Sequence, residues 1–419
     1  MQKILFKIAS NKTDFIDLLF QYLIKFVNYL VPFIVIPYLI SVLGINSYSK
    51  FIFCFALINY FNIIVEFGFD ITLTKQIINY RNIKGYYSEI FSFILVFKMI
   101  LIIISSFLYI LIVSYFDLPG DKILYSICFF YLFTGLLNVN SFFYSFNNVR
   151  IIAFTNFIFK ILYLILVFLF IKKQSDLYIF ATFNILSWVL PSLTLFIYIV
   201  KNYKLKLKIN SLLSKKNKIL YIEARNSFFS NLSVSLYGTT NTFILGILGS
   251  PGAVVLFDSL EKIFNGFTSI ISSSNFVIYP RLIKSFSNKV YFKKILKKIE
   301  KIYFVIIMTG VLILFILKDT ILEYFNVSKI EYSQSYILLF IIALIFSPFG
   351  SFYTRIFLVL GKTKDLLKIT AFGFIVNSSI LILIFYNNWI SIFPITILLT
   401  QFYIALTKKI RISNYLQKI

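Results

Sequence analysis

The chain has no histidine, two cysteines and two tryptophans, and sets 16 acidic residues against 41 basic ones. Without histidine, neither an imidazole-based catalytic triad nor a histidine proton relay can be assembled. Two thiols alone do not make a zinc cluster. Cys54 and Cys128 both lie inside apolar runs, so no disulfide framework is expected. No G-x-x-x-x-G-K-[ST] phosphate loop occurs, so ATP is not the expected energy source. Long polar segments are also scarce. On the side poor in basic residues, the longest connector lies near 318–334 and carries no cluster of candidate catalytic groups. That counts against a membrane enzyme such as a sugar polymerase or an O-acyltransferase. No cofactor is expected, beyond H+ or Na+ as a coupling ion.

What is present is apolar surface. Of 419 residues, 59% are hydrophobic, and the mean hydropathy is +0.88. A soluble domain cannot bury that much, so the fold class is all-α and polytopic in the membrane. The apolar runs are too long and unbroken for a transmembrane barrel, whose strands alternate. No small-residue cleavage site follows the first full-length run, so a cleavable signal peptide is not expected.

About twelve spans of roughly 20 residues can be drawn. They fall at 15–41, 51–69, 90–114, 123–146, 150–171, 177–200, 220–248, 253–279, 302–325, 335–360, 366–386 and 389–407. The net charge of +25 belongs to topology and not to nucleic acid. Lysines and arginines crowd the connectors of one side, including seven lysines between 201 and 218 and eight basic residues between 281 and 301. Lys362, Lys364 and Lys368, and the terminal Lys408, Lys409, Arg411 and Lys418, belong to the same side. The positive-inside rule makes both termini cytoplasmic. The expected organisation is a bundle over 1–200, a basic linker over 201–218 and a second bundle over 219–419. Residues 281–301 read as an amphipathic helix at the headgroups, with Lys289, Lys293, Lys297 and Lys301 in one stripe. A solvated surface helix is the plain alternative.

The chain is organised around residues 28–70. Pro32 and Pro37 precede a stop at Leu43-Gly44, a polar connector follows over Asn46–Lys50, and a second apolar run ends at Phe69. Two prolines in one span set a kink and mark a helix that lines something. A comparable unit over 231–281 suggests a chain made twice, with two bundles facing a central site.

Ionisable residues at membrane depth are functional candidates. Lys25, Lys98 and Lys160 lie in the first, third and fifth spans with no acid three or four positions away. Pointed into one cavity they form a positive site; singly, each is equally read as snorkelling or as paired to another helix. Lys262 has Asp258 four residues earlier, a self-neutralising pair that leaves Glu261 as a candidate for the coupling ion. Arg225 and Arg355, near helix ends, are interface anchors or the mouth of the cavity. Glu66 is a buried-acid candidate. A positive, partly dry cavity favours phosphate, and a lipid-linked pyrophosphate would leave its tail in the bilayer. Tyr48, Tyr163 and Tyr237 are candidates for stacking on sugars.

The chain resembles the repeat-unit flippases of bacterial surface polysaccharides, the O-antigen transporter type. The resemblance rests on Pro37-Tyr38-Leu39 with Leu43-Gly44, on Phe67-Gly68-Phe69 and on Asn156 to Lys160. It continues at Asn231 to Tyr237, Asn241 to Gly246, Glu261-Lys262-Ile263 and Tyr279-Pro280-Arg281. It covers about residues 28–284; beyond 300 only hydropathy carries it. Tyr48-Ser49 stands where the family usually has Tyr-Gly, and Glu66 where it often has Asp. The resemblance implies two six-helix bundles in a V, as in the multidrug/oligosaccharidyl-lipid/polysaccharide exporter superfamily. It implies movement of undecaprenyl-pyrophosphate-linked oligosaccharide across the membrane, with a polysaccharide polymerase and a chain-length regulator as further partners. A drug/cation antiporter of the same superfamily and a lipid II flippase are the rival transporters.

Overall fold

The structure, a computed structural model, describes residues 12–79, 86–146, 148–208, 215–248, 250–274 and 288–417, with 278, 282, 285 and 286 between the last two. Lys418 and three further basic residues of the charge-rich side, Lys75, Arg81 and Lys84, have side chains or backbone outside the described residues, as do Tyr237 and the Tyr279-Pro280-Arg281 landmark. All regular structure among the described residues is helical.

The chain divides into two compact units, one of residues 1–35 and 42–235, the other of 36–41 and 236–419. The first contains most of α1 (Lys12–Glu66), then α2 (Phe69–Asn79), α3 (Tyr86–Tyr115), α4 (Lys122–Phe129), α5 (Leu132–Leu137), α6 (Asn140–Ser145), α7 (Val149–Phe170) and α8 (Leu177–Asn202). The division then falls inside α9 (Lys215–Ile247), downstream of the 201–218 linker. The second unit adds α10 (Pro251–Ser273), α11 (Lys289–Ile316), α12 (Lys318–Tyr324), α13 (Ser333–Ala343), α14 (Ser347–Val359), α15 (Thr363–Asn387) and α16 (Ile395–Gln417).

Eight stretches among the described residues are long and apolar enough to cross a membrane. The first, 22–66, is one unbroken run of helix except at Gly44, where φ is 77° and ψ is 162°. That conformation is open to glycine and strained for other residues. The sharp turn is therefore at Gly44, while Pro32 and Pro37 sit in helical backbone. The polar connector expected over Asn46–Lys50 is absent. Those residues form the first turn of the returning helix, where the Ser49 hydroxyl donates to Asn46 O at 2.9 Å.

In the first unit, α7 lies along α8, and α4 and α5 lie against α8 as well. Asp176 fixes the α7–α8 turn by accepting from the N–H groups of Lys172 and Lys173, at 2.8 and 3.0 Å. The apolar core brings Phe69 and Leu73 of α2 against Ile90 and Phe91 of α3 and Phe142 and Phe143 of α6. In the second unit α16 is central and touches α13, α14 and α15. Its core joins Phe292, Leu296 and Tyr303 of α11 to Phe352, Ile356 and Phe357 of α14.

The helix expected over 281–301 starts at Lys289. Asn288 caps it, accepting from the Tyr291 N–H at 3.0 Å, and it runs without a break into the apolar turns ending at Ile316. Surface turns and span are one rod.

Phe67-Gly68 makes the sharp exit from α1, both with positive φ. A Cβ on Gly68 would stand 2.7 Å from the Phe228 backbone nitrogen and 3.1 Å from Ala224 O. Gly68 is therefore a point where α9 leaves no room for a side chain. Gly68→Ala is expected to cost about 2 kcal/mol or more, from strain plus backbone collision. Thermal unfolding of the detergent-purified protein measures this; an unchanged midpoint would show that α9 does not seat there.

Candidate functional site

The fourth apolar run, expected as one span over 123–146, is broken into α4, α5 and α6. Asp121 starts it as an N-cap, accepting from the Leu124 N–H at 3.0 Å. The chain leaves helical geometry at Asn138, where ψ is 112°. Carbonyls left open by such a break need partners, because lipid offers none.

Lys98 supplies one. Its ammonium donates to Gly135 O at 2.7 Å and to Asn138 O at 3.2 Å, and the residue is 2% exposed. Asn62, on α1, completes the join from the other side. Its Oδ1 accepts from the Gly135 N–H at 3.0 Å and from the Thr134 hydroxyl at 3.2 Å. Glu66, one turn further along α1, accepts from Asn138 Nδ2 at 3.4 Å. A cation, a carboxylate and two amides thus converge on one helix break.

Lys160 ends elsewhere. On α7, buried, it donates to the Ser187 hydroxyl at 3.2 Å. Its Nζ lies 3.6 Å from the Trp188 ring centroid and 5.8 Å from that of Tyr163. The Tyr163 hydroxyl is itself hydrogen-bonded by Asn184 Nδ2 at 3.2 Å. An ammonium against an indole face is held by the ring quadrupole, an interaction strengthened by desolvation. Trp188 meets Tyr131 edge-on at 6.3 Å, so α8 carries the contact from Lys160 towards the broken run. Lys25 is half-buried on α1. Lys98 and Lys160 therefore serve different helices, α5–α6 and α8.

In the second unit the expected pair forms: Lys262 Nζ lies 3.0 Å from Asp258 Oδ1, with the aspartate side chain 9% exposed. Glu261, on the same helix, is half-buried. Arg225 is exposed on α9 and Arg355 half-buried on α14. Tyr48 is buried among α1 and α8 aromatics, 6.1 Å from Phe180, and presents little ring for stacking.

Lys408 is a correction. Counted among the cytoplasmic terminal charges, it instead lies inside α16, buried, donating to Gly350 O at 3.1 Å and to the Thr354 hydroxyl at 2.8 Å. Helix α16 continues ten residues past the expected span end at 407, to Gln417, and α14 lies against it. Asn62, Asn138, Trp188 and Thr354 were also not singled out. Asparagine inside apolar runs, as at 62, 138 and 140, was the available signal.

The whole chain resembles solved exporters in fold. Against a multidrug resistance MATE family transporter of the MOP superfamily, inward-facing, the TM-score is 0.71 at 16% identity, covering 94% of this chain and 96% of that one. A eukaryotic MATE transporter gives 0.63 at 13% identity, covering 98% and 95%. A MOP superfamily transporter from Pyrococcus furiosus gives 0.55 at 15% identity, covering 96% and 97%. These likenesses show an all-helical, MATE-type fold, and the apolar helices make it a multi-pass membrane protein. Within that class, the chain belongs to the polysaccharide biosynthesis protein family, whose model matches residues 17–286. It is 23% identical over 273 residues to a protein of Escherichia coli (strain K12) named "Putative O-antigen transporter", covering 61% of each chain. A protein of Shigella dysenteriae with the same name is 26% identical over 275 residues, covering 64% of this chain and 67% of that one. The resemblance read from the landmark motifs is borne out.

Replacing Lys98 by Met strands two buried carbonyls at the helix break. The expected loss is about 3 kcal/mol, since hydrogen bonds to charged groups contribute about 1.5–3 kcal/mol. Lys160→Met removes the donor to one hydroxyl, which still donates to Asn184 O at 2.7 Å, and is expected to lose less. Comparing the two thermal midpoints checks this; equal shifts would contradict it.

Proposed function

We propose that the chain is a transporter, not an enzyme, that carries lipid-linked oligosaccharide repeat units from the cytoplasmic to the outer leaflet of the bacterial inner membrane. The cargo in this reading is an oligosaccharide on undecaprenyl pyrophosphate, destined for O-antigen, capsule or a related surface polymer. A polymerase and a chain-length regulator would take over the delivered units. The observation that carries the reading is Lys160. Its described contacts are a hydroxyl and two aromatic rings, so its charge is stabilised but not cancelled. Such an ammonium suits a phosphate that arrives and leaves. Membership of the polysaccharide biosynthesis family and the relatives' name support the same cargo.

In this reading Lys25 and Lys98 add to the positive field, and Arg225, Arg355 and Lys262 are further candidate contacts for the cargo. The basic bias of the connectors puts both termini in the cytoplasm. Rocking of the bundles would expose the site to each leaflet in turn. With no phosphate loop for ATP, H+ or Na+ binding at Glu261, Asp258 or Glu66 is the proposed coupling. Vesicle transport indifferent to both gradients would sink that part. The multidrug fold relatives give a drug/cation antiporter as the second reading. It requires an acid open to the cargo, and Asp258 already holds Lys262.

Depleting the protein in cells and measuring lipid-linked oligosaccharide in each leaflet tests the proposal. Accumulation on the cytoplasmic leaflet with loss of surface polymer is expected. Normal intermediates and normal polymer would overturn it. In complementation, Lys160→Gln is expected to lower surface polymer about tenfold or more, the value of one charged hydrogen bond. Lys160→Glu is expected to abolish it while the protein still reaches the membrane.

A further inference from the structure

A separate cationic feature lies wholly within the second unit. Helices α11 and α16 border a groove of about 500 Å³ whose floor is Phe349 and the buried Tyr353 of α14. Its rim carries three lysines, Lys297 and Lys301 from α11 and Lys409 from α16, all exposed. One acid, Glu300, is among them. The rim is therefore net positive.

Both basic turns occupy the same level. Lys297 and Lys301 come just before the apolar turns of α11 that run to Ile316, while Lys409 follows the largely apolar turns of α16 from Ile395 to Leu406. One helix enters the apolar layer where the other leaves it, so the lysines stand at headgroup depth. Below them the walls are large, apolar and open: Phe304 is 52% exposed, Phe402 42% and Leu406 44%. Rings and branched chains left open beside such a rim are contact surface for acyl chains.

The first unit contains an informative contrast. A groove of about 560 Å³ between α4 and α8 is equally apolar, lined by Phe130, Ile185 and Leu186, but carries one lysine, Lys122. An apolar slot of that kind accepts any acyl chain. The groove of α11 and α16 adds a rim that selects for charge.

We propose that this groove binds an anionic glycerophospholipid, with its phosphodiester held by Lys297, Lys301 and Lys409 and an acyl chain against Phe304, Phe402 and Leu406. The three lysines are exposed, unlike the buried Lys98, Lys160 and Lys408. That favours a resident membrane lipid over the polyprenyl-linked cargo. The bound lipid would bridge α11 to α16 across α14. This assignment is independent of what the protein transports.

Native mass spectrometry of the detergent-purified full chain tests it, with phosphatidylglycerol, phosphatidylethanolamine and undecaprenyl phosphate added separately and in competition. Phosphatidylglycerol adducts are expected to survive where phosphatidylethanolamine is lost. Lys297→Gln/Lys301→Gln/Lys409→Gln is expected to weaken the phosphatidylglycerol adduct about tenfold or more, each lysine near an anionic lipid contributing separately. The control Lys289→Gln/Lys294→Gln/Lys298→Gln, on the same helix away from the groove, is expected to retain it. Equal retention of the two phospholipids, or an unaffected triple variant, would overturn the proposal. Displacement of phosphatidylglycerol by undecaprenyl phosphate would also overturn it and give the groove to the cargo. Hydrogen exchange on the wild-type chain gives a second readout that needs no variant. Slower exchange over 297–301 and 405–409 is expected in nanodiscs containing phosphatidylglycerol than in phosphatidylethanolamine alone. Equal exchange would contradict the proposal.

Discussion

A buried ammonium bonded to backbone carbonyls holds the first unit together. Lys98 ties the broken fourth run to α3, and Asn62 ties the same residues to α1. In water an interrupted helix would be solvated. In a bilayer each open carbonyl and amide costs free energy unless the protein supplies a partner. The cost of burying a charge is offset here by several hydrogen bonds to one small group. Glu66 and Asn138 extend the join, so four helical segments depend on one polar cluster.

The second unit uses the same device more sparingly. Lys408 donates to Gly350 O near the start of α14 and to Thr354 one turn on, and so fastens α16 to the helix that follows the break at Leu344–Phe346. Both described acceptors of Lys408 are neutral, a carbonyl and a hydroxyl. Asp258 and Lys262 behave differently, as a conventional ion pair on one helix face. Lys160 stands between the two cases, held by a hydroxyl and by rings. A carboxylate partner would cancel its charge; an indole face stabilises the charge and leaves it available.

Much of the architecture was legible in the sequence because the signals were local. Leu43-Gly44 and Phe67-Gly68-Phe69 mark real turns, since their glycines hold positive φ. The spacing of Asp258 and Lys262 predicts their pair. Hydropathy locates the helices because burial in lipid depends on run length more than on detail. The breaks were less legible. Nothing in the apolar pattern of 123–146 distinguishes one helix from three, because each fragment is as apolar as a span. Only Asn138 and Asn140 hint at a break, and the partners that make it affordable, Asn62 and Lys98, come from far along the chain. Lys408 was misplaced for a related reason. Charge counting assigns a lysine to water at the end of an apolar run, and only the helix laid against it shows the residue to be buried. The aromatic support of Lys160 is a contact between helices, which spacing along one helix cannot reveal.

The central claim is that this member of the polysaccharide biosynthesis family moves an anionic lipid-linked glycan, using an uncancelled buried cation. The most direct measurement is flipping by the purified chain in proteoliposomes, with a fluorescent undecaprenyl-pyrophosphate oligosaccharide and a membrane-impermeant quencher. The account predicts that wild-type protein exposes inner-leaflet label to the quencher and that Lys160→Gln protein does so far more slowly. Transfer no faster than in protein-free vesicles, or a Lys160→Gln protein as fast as wild type, would contradict it.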